Sequence, residues 1–167
     1  MHFSEQIDAL LRLSHNLLYL GMDGSPIYSD ELARMSGETF RLCNELYDGG
    51  LHGASPEEEA SLCLALLLGY NATLCDHGDK QQRIQQVLEH SWKVLPHMSD
   101  PLLKVRLLTY CYSECYEEEL ADQAHAIIAT WNADQLTSDQ KEIIEELQNI
   151  EDNPYPCLLY TSPSPRD

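Results

Sequence analysis

The sequence predicts an all-α fold, a single multi-helix domain of six or seven helices packed as helical hairpins and loosely tetratricopeptide-like. Three observations carry this. Apolar residues recur at three-and-four spacing along nearly the whole chain, cap and proline signals punctuate those stretches, and no run of period-two alternation appears.

The elements follow in order. Ile7, Leu10, Leu11, Ser14, Leu17 and Leu18 form one helical face, with Ser4 placed to cap its start and Gly21 to end it. Met22-Asp23-Gly24-Ser25-Pro26 is turn chemistry, since glycine tolerates positive φ and proline presets φ. Ser29 is the predicted cap of a second helix carrying Leu32, Met35, Phe40, Cys43, Leu46 and Tyr47, stopped at Asp48-Gly49-Gly50. In the third helix Ser55 is the N-cap, Pro56 occupies the first turn, and Glu58 is spaced to reach back to the cap. From Leu62 to Leu68 every residue is apolar, which predicts a helix covered on most sides at the centre of the core.

Asp79 with Gln82 offers a capping pair for a fourth helix through Ile84, Val87, Leu88, Trp92 and Leu95, and Pro96 ends it. Gly78-Asp79 through Pro96 looks like the second helix of a tetratricopeptide repeat, although no 34-residue period is sustained. Pro101 opens a fifth helix through Leu102, Val105, Leu108 and Cys111, and residues 101–131 fit either one helix or two. Leu120, Ala124, Ile127, Ile128 and Trp131 follow. Thr137 with Gln140 caps a last helix carrying Ile143, Ile144, Leu147 and Ile150, closed by Asn153-Pro154.

The chain has 167 residues, and from Cys157 onward it reads as one frame of a sequencing adapter. Residues 1–156 are therefore expected to be the single helical domain and residues 157–167 a non-native tail. Without that tail nine basic residues face 27 acidic ones, and the net charge stays at −18. Nucleic acid is a poor partner for such a surface. No Lys or Arg occurs between Arg41 and Lys80 or between Arg106 and Lys141, so the acidic charge serves either solubility or a basic protein partner.

Cys43, Cys63, Cys75, Cys111 and Cys115 are scattered through apolar patterns, which predicts free thiols in a reducing, cytoplasmic compartment. No signal peptide or membrane-spanning run is apparent. Catalytic chemistry is not legible either. Cys111 and Cys115 with His125 lack the second ligand pair of a structural zinc site, so no metal and no cofactor is expected. Cys75 and His77 sit too close together along the chain to form an oriented nucleophile and base. Glu57-Glu58-Glu59 and Glu117-Glu118-Glu119 fall in first helical turns, where negative charge suits the macrodipole. Asn71, within the most apolar helix, is expected to make an interior hydrogen bond to backbone, and Trp92 and Trp131 to be core.

These exclusions leave recognition of another protein. Apolar residues continue through the first turn, so Tyr19, Met22, Asp23, Ile27 and Tyr28 are candidate partner-binding residues, together with the acidic Glu117 and Glu118.

Several segments, in order, resemble the UpxZ family of transcription antitermination inhibitors. They are His15-Asn16-Leu17-Leu18-Tyr19-Leu20-Gly21-Met22-Asp23-Gly24 with Pro26-Ile27-Tyr28, Glu57-Glu58-Glu59-Ala60, and Leu67-Leu68-Gly69-Tyr70-Asn71-Ala72. Ser91-Trp92-Lys93-Val94-Leu95, Glu118-Glu119-Leu120-Ala121, Ala124-His125-Ala126-Ile127-Ile128, Trp131 and Asn153-Pro154-Tyr155-Pro156 complete them. The resemblance implies a non-enzymatic regulator of capsular polysaccharide operons. Its expected partner is a NusG-like antiterminator of the UpxY type, blocked in trans. The alternative is a helical-repeat adaptor or chaperone-like module unrelated to transcription, with a peptide groove lined by the fourth to sixth helices.

Overall fold

The computed structural model describes residues 2–153, which form seven α-helices and no strand among the described residues. The boundary expected at Pro156 and the tail beyond it lie outside the described residues. The helices are α1 (Phe3–Leu18), α2 (Ser29–Asp48), α3 (Pro56–Ala72), α4 (Lys80–Val94), α5 (Pro101–Cys115), α6 (Glu118–Ile128) and α7 (Ser138–Asp152). None of them is long and apolar enough to cross a membrane.

Helix α3 organises the molecule. Leu62, Cys63, Leu64, Ala65, Leu66 and Leu67 are consecutive and each no more than 2% exposed. A helix apolar on every side cannot rest on the surface, and α1, α2, α4 and α5 all pack around this one. Each of those leucines contributes roughly 1.5–3 kcal/mol through burial. The odd-numbered helices form one row, α1 on α3, α3 on α5 and α5 on α7, and α2, α4 and α6 lean against it from within the hairpins. This is the expected packing of helical hairpins. The odd-numbered helices begin at Phe3, Pro56, Pro101 and Ser138, an uneven spacing that is not a repeat.

The cap signals divide by how local they are. Ser55 accepts from the Glu58 amide at 3.1 Å, and Thr137 with Gln140 makes both bonds of a capping box. Glu58 reaches past the cap, accepting from the Ala54 amide at 2.8 Å. Three expectations are corrected. Ser4 is not a cap, because α1 starts one residue earlier at Phe3 with His2 in the cap position. Ser29 is itself the first residue of α2 and Tyr28 precedes it. Asp79 precedes α4, but its carboxylate is drawn to Arg83 Nε at 3.1 Å, and Asp76 Oδ1 takes over the cap by accepting from the Gly78 and Lys80 amides at 2.7 and 3.2 Å.

Residues 101–131 form two helices. The break is Tyr116, whose left-handed φ of 54° ends α5 before Glu117 opens α6. The tryptophans are half-buried against the edge of the core.

Polar clamps register the helices. Tyr70, fully buried in α3, donates to Asn44 Oδ1 of α2 at 2.7 Å. Arg83 of α4 reaches the same oxygen and Asp48 Oδ1, each at 3.2 Å, while its guanidinium lies 4.5 Å from the Tyr47 ring centroid. Ser36 of α2 holds the end of α3, with its hydroxyl 2.8 Å from Thr73 Oγ1 and accepting from the Leu74 amide at 2.8 Å.

Candidate functional site

A groove of about 970 Å³ runs along the row of odd-numbered helices. Its floor is α3 and α5, through Leu64, Leu67, Leu68, Leu103 and Tyr110. One wall is α1 and the turn after it, with Leu11, Leu18, Tyr19 and Met22; the other is α7, with Ile143 and Ile150. Because α1 packs on α3 and α7 on α5, the two walls face each other across the cleft. The adaptor reading expects a groove along the fourth to sixth helices, whereas this cleft draws mainly on α1, α3, α5 and α7, with Gln81 from α4.

The charge in this groove is acidic. Glu114 of α5 and Glu142 and Glu146 of α7 line it, and the single Arg on its wall, Arg106, already faces Asp139 at 3.7 Å. Burial pushes the Glu114 carboxyl above the usual range, opposed by its hydrogen bond from Asn71. Burial, with Glu142 adding, does the same to Glu146. The Tyr19 phenol is raised first by burial and then by Glu146 and Glu142, and Tyr110 is raised by burial and the same carboxylates. The site therefore presents partly desolvated negative charge beside exposed apolar side chains, an arrangement that costs stability in the free protein.

That cost has a measurable sign. A carboxyl whose folded pKa is raised binds its proton more tightly in the folded state, so stability falls as pH rises from the unfolded carboxyl range through the raised value. Glu146→Gln is expected to raise the melting temperature at pH 7 by about 1–3 °C, the response of a domain this size to roughly half a kcal/mol. The gain disappears near pH 4, where the wild-type carboxyl is protonated as well. Thermal melts at the two pH values check this, and an unchanged gain at pH 4 refutes it.

Of the seven residues expected from sequence to bind a partner, Tyr19 and Met22 line the groove, and Met22 is 74% exposed. Asp23 instead accepts from the Ser25 amide at 3.0 Å, a turn contact that holds its carboxyl below the usual range. Ile27 folds back on Gly21, where a Cβ would stand 2.6 Å from its Cδ1. Tyr28 is exposed in the cap position of α2. Glu117 and Glu118 are exposed at the start of α6, outside the groove lining but following Tyr116, which is part of it. Glu114, Glu142 and Glu146 were not singled out from sequence. The available signal was the i,i+4 pair Glu142 and Glu146 flanking the apolar Ile143 and Leu147.

Other candidate chemistry resolves into structure. Asn71 does hydrogen-bond the Leu67 carbonyl, at 2.8 Å, but it is exposed at the groove and also contacts Glu114, so the expectation of an interior position is corrected. His125 bonds the Glu151 carboxylate at 2.9 Å, away from any thiol ligand role, and Cys115 donates to the Cys111 carbonyl. His77 stacks edge-on against Phe40 with centroids 4.8 Å apart, while Cys75 faces Ser36. Burial pushes the Cys43, Cys63 and Cys111 thiols up to about 12, leaving them unreactive at neutral pH. Each glutamate of Glu57-Glu58-Glu59 has its own partner: Glu57 accepts from the Ser99 amide at 2.8 Å, Glu58 from Ala54, and Glu59 meets His90 at 2.8 Å.

Comparison with known proteins agrees with this picture of a binding protein. Residues 7–113 match the model of the UpxZ family of transcription anti-terminator antagonists. No curated protein matches the chain. The crystal structure of a transcription anti-terminator antagonist UpxZ from Bacteroides uniformis ATCC 8492 is similar at a TM-score of 0.84 and 45% identity, over 93% of this chain and 96% of that one. On this match of sequence and fold, the chain belongs to the UpxZ family of transcription anti-terminator antagonists.

Proposed function

We propose that this protein antagonises a NusG-like antiterminator of the UpxY type by binding it directly, with the groove between α1, α3, α5 and α7 as the docking surface. The reading is supported above all by the coincidence of exposed apolar side chains with Glu114, Glu142 and Glu146 in one cleft. Such a cleft complements an amphipathic helical segment whose apolar face lies on the leucine floor and whose Lys or Arg residues meet the carboxylates. The occupied antiterminator is kept from polymerase or leader RNA, and expression of capsular polysaccharide operons is held to one locus at a time. Recognition of this kind requires no bond chemistry and no nucleic-acid contact, and it assigns the protein to the cytoplasm, where transcription occurs.

Co-purification of the untagged chain with a panel of purified NusG-like antiterminators tests the proposal. At least one is expected to bind saturably, with affinity falling as salt rises from 50 to 500 mM. Absence of binding to every member overturns it.

A further inference from the structure

We infer that His52, Glu59 and His90 form a binding site for a late first-row divalent cation of the zinc type. The three residues come from the loop between α2 and α3, from the first turn of α3, and from α4. One ligand atom from each lies within 4.8 Å of the other two. His90 Nε2 and Glu59 Oε1 are 2.8 Å apart, and the His52 and His90 rings are 5.6 Å apart between centroids at 83°. Ligand atoms bound to one zinc ion at about 2.0–2.1 Å stand roughly 2.9–3.4 Å apart, so Glu59 and His90 are already near that spacing and His52 needs only a side-chain movement.

The placement is built into the fold. The side chains of Glu59 and His90 are 22% and 15% exposed, and they project from two helices packed on each other. His52 is brought over them by the chain at Gly53, where a Cβ would stand 3.2 Å from both Glu59 Cγ and the Glu59 amide nitrogen. Two imidazoles and one carboxylate are borderline donors, suited to zinc, cobalt or nickel and ill suited to calcium or magnesium. Three protein ligands leave a fourth position for water or for a group from a partner. None of the three residues lines the groove, so this site stands or falls separately from the docking surface.

The plainer account is that Glu59 and His90 are an ordinary ion pair tying α4 to α3. His52→Ala separates the two, because it removes a metal ligand and leaves that pair intact. The untagged chain titrated with Zn²⁺ is expected to bind one equivalent, and Co²⁺ to give visible absorption bands on binding. At metal 100-fold above Kd the melting temperature rises by about 5–10 °C. His52→Ala and His90→Ala are each expected to weaken binding at least about 10-fold. Circular dichroism and the metal-free melting temperature confirm their folding; should His90→Ala fail to fold, His52→Ala with the wild-type titration decides. Lack of saturable Zn²⁺ or Co²⁺ binding by the wild type, or unchanged affinity in His52→Ala, overturns the inference.

Discussion

Reversing two carboxylates of the groove, Glu142→Lys with Glu146→Lys, is expected to weaken binding of the antiterminator at least about 100-fold, close to 2.8 kcal/mol. Among the described residues neither carboxylate is paired with a cation: Arg106 faces Asp139, and the groove lining holds no other Lys or Arg. A basic partner segment therefore meets uncompensated charge. In wild type Glu146 is half-buried and Glu142 exposed, so the attraction at Glu146 is the less screened of the two, and in the variant both become repulsions. Isothermal titration at two salt concentrations reads the effect. Affinity of the wild type drops with salt, and the residual affinity of the variant changes less. Glu117→Lys with Glu118→Lys, the same change in charge at exposed positions outside the groove lining, serves as the comparison and is expected to cost less than about 5-fold. If that pair abolishes binding and the groove pair does not, the docking surface lies at the start of α6.

The second large effect is on stability. Gly69→Ala is expected to lower stability by about 2 kcal/mol and the melting temperature by about 4–8 °C, against the direction of helix propensity. In an exposed helix the change would be favourable by roughly 1 kcal/mol. Here a Cβ would collide with Cys43 Sγ, stand 3.0 Å from Leu10 Cδ1, and stand 3.3 Å from Ser14 Oγ. Cys43, Leu10 and Ser14 are all 0% exposed, so nothing nearby has free space into which to move. Close approach at Gly69 is what lets α1 and α2 both lie on α3, and Ser14 Oγ, which has no hydrogen-bond partner among the described residues, is buried at that crossing. Gly37, inside α2, has nothing within 4 Å of its would-be Cβ, and Gly37→Ala is expected to raise stability by about 1 kcal/mol. Chemical denaturation of the two variants decides the matter. Equal effects of the same sign would show that helix packing at Gly69 is not tight, and Cys43→Ala added to Gly69→Ala should recover part of the loss if the thiol is the obstacle.

The stability gain expected of Glu146→Gln and the affinity loss expected of the groove reversal concern the same carboxylate. A residue that burdens the free protein and strengthens a complex is retained for binding, and the two measurements together distinguish it from an incidental surface charge.

The amino-acid sequence by itself determined the all-α class, the central place of α3, the capping box of α7, the free buried cysteines and the resemblance to the UpxZ family. The helices and the capping box are written in neighbours three or four residues apart and the place of α3 in an unbroken apolar run, and such signals act before any distant contact exists. Signals open to competition went otherwise: Asp79 was spaced to cap α4, yet Arg83 offered it a charged partner and Asp76 supplied the cap. Tertiary structure alone decided what depends on residues far apart in the chain. It set Glu114, Glu142 and Glu146 along one cleft, brought Tyr19 and Met22 to the same cleft while engaging Asp23 and Ile27 with their own exposed loop, and distinguished Gly69 from Gly37. It also gathered His52, Glu59 and His90 from three elements. A helical period tells which face of a helix is apolar, but the distance between two faces is set by how the helices cross, and that is a property of the whole core.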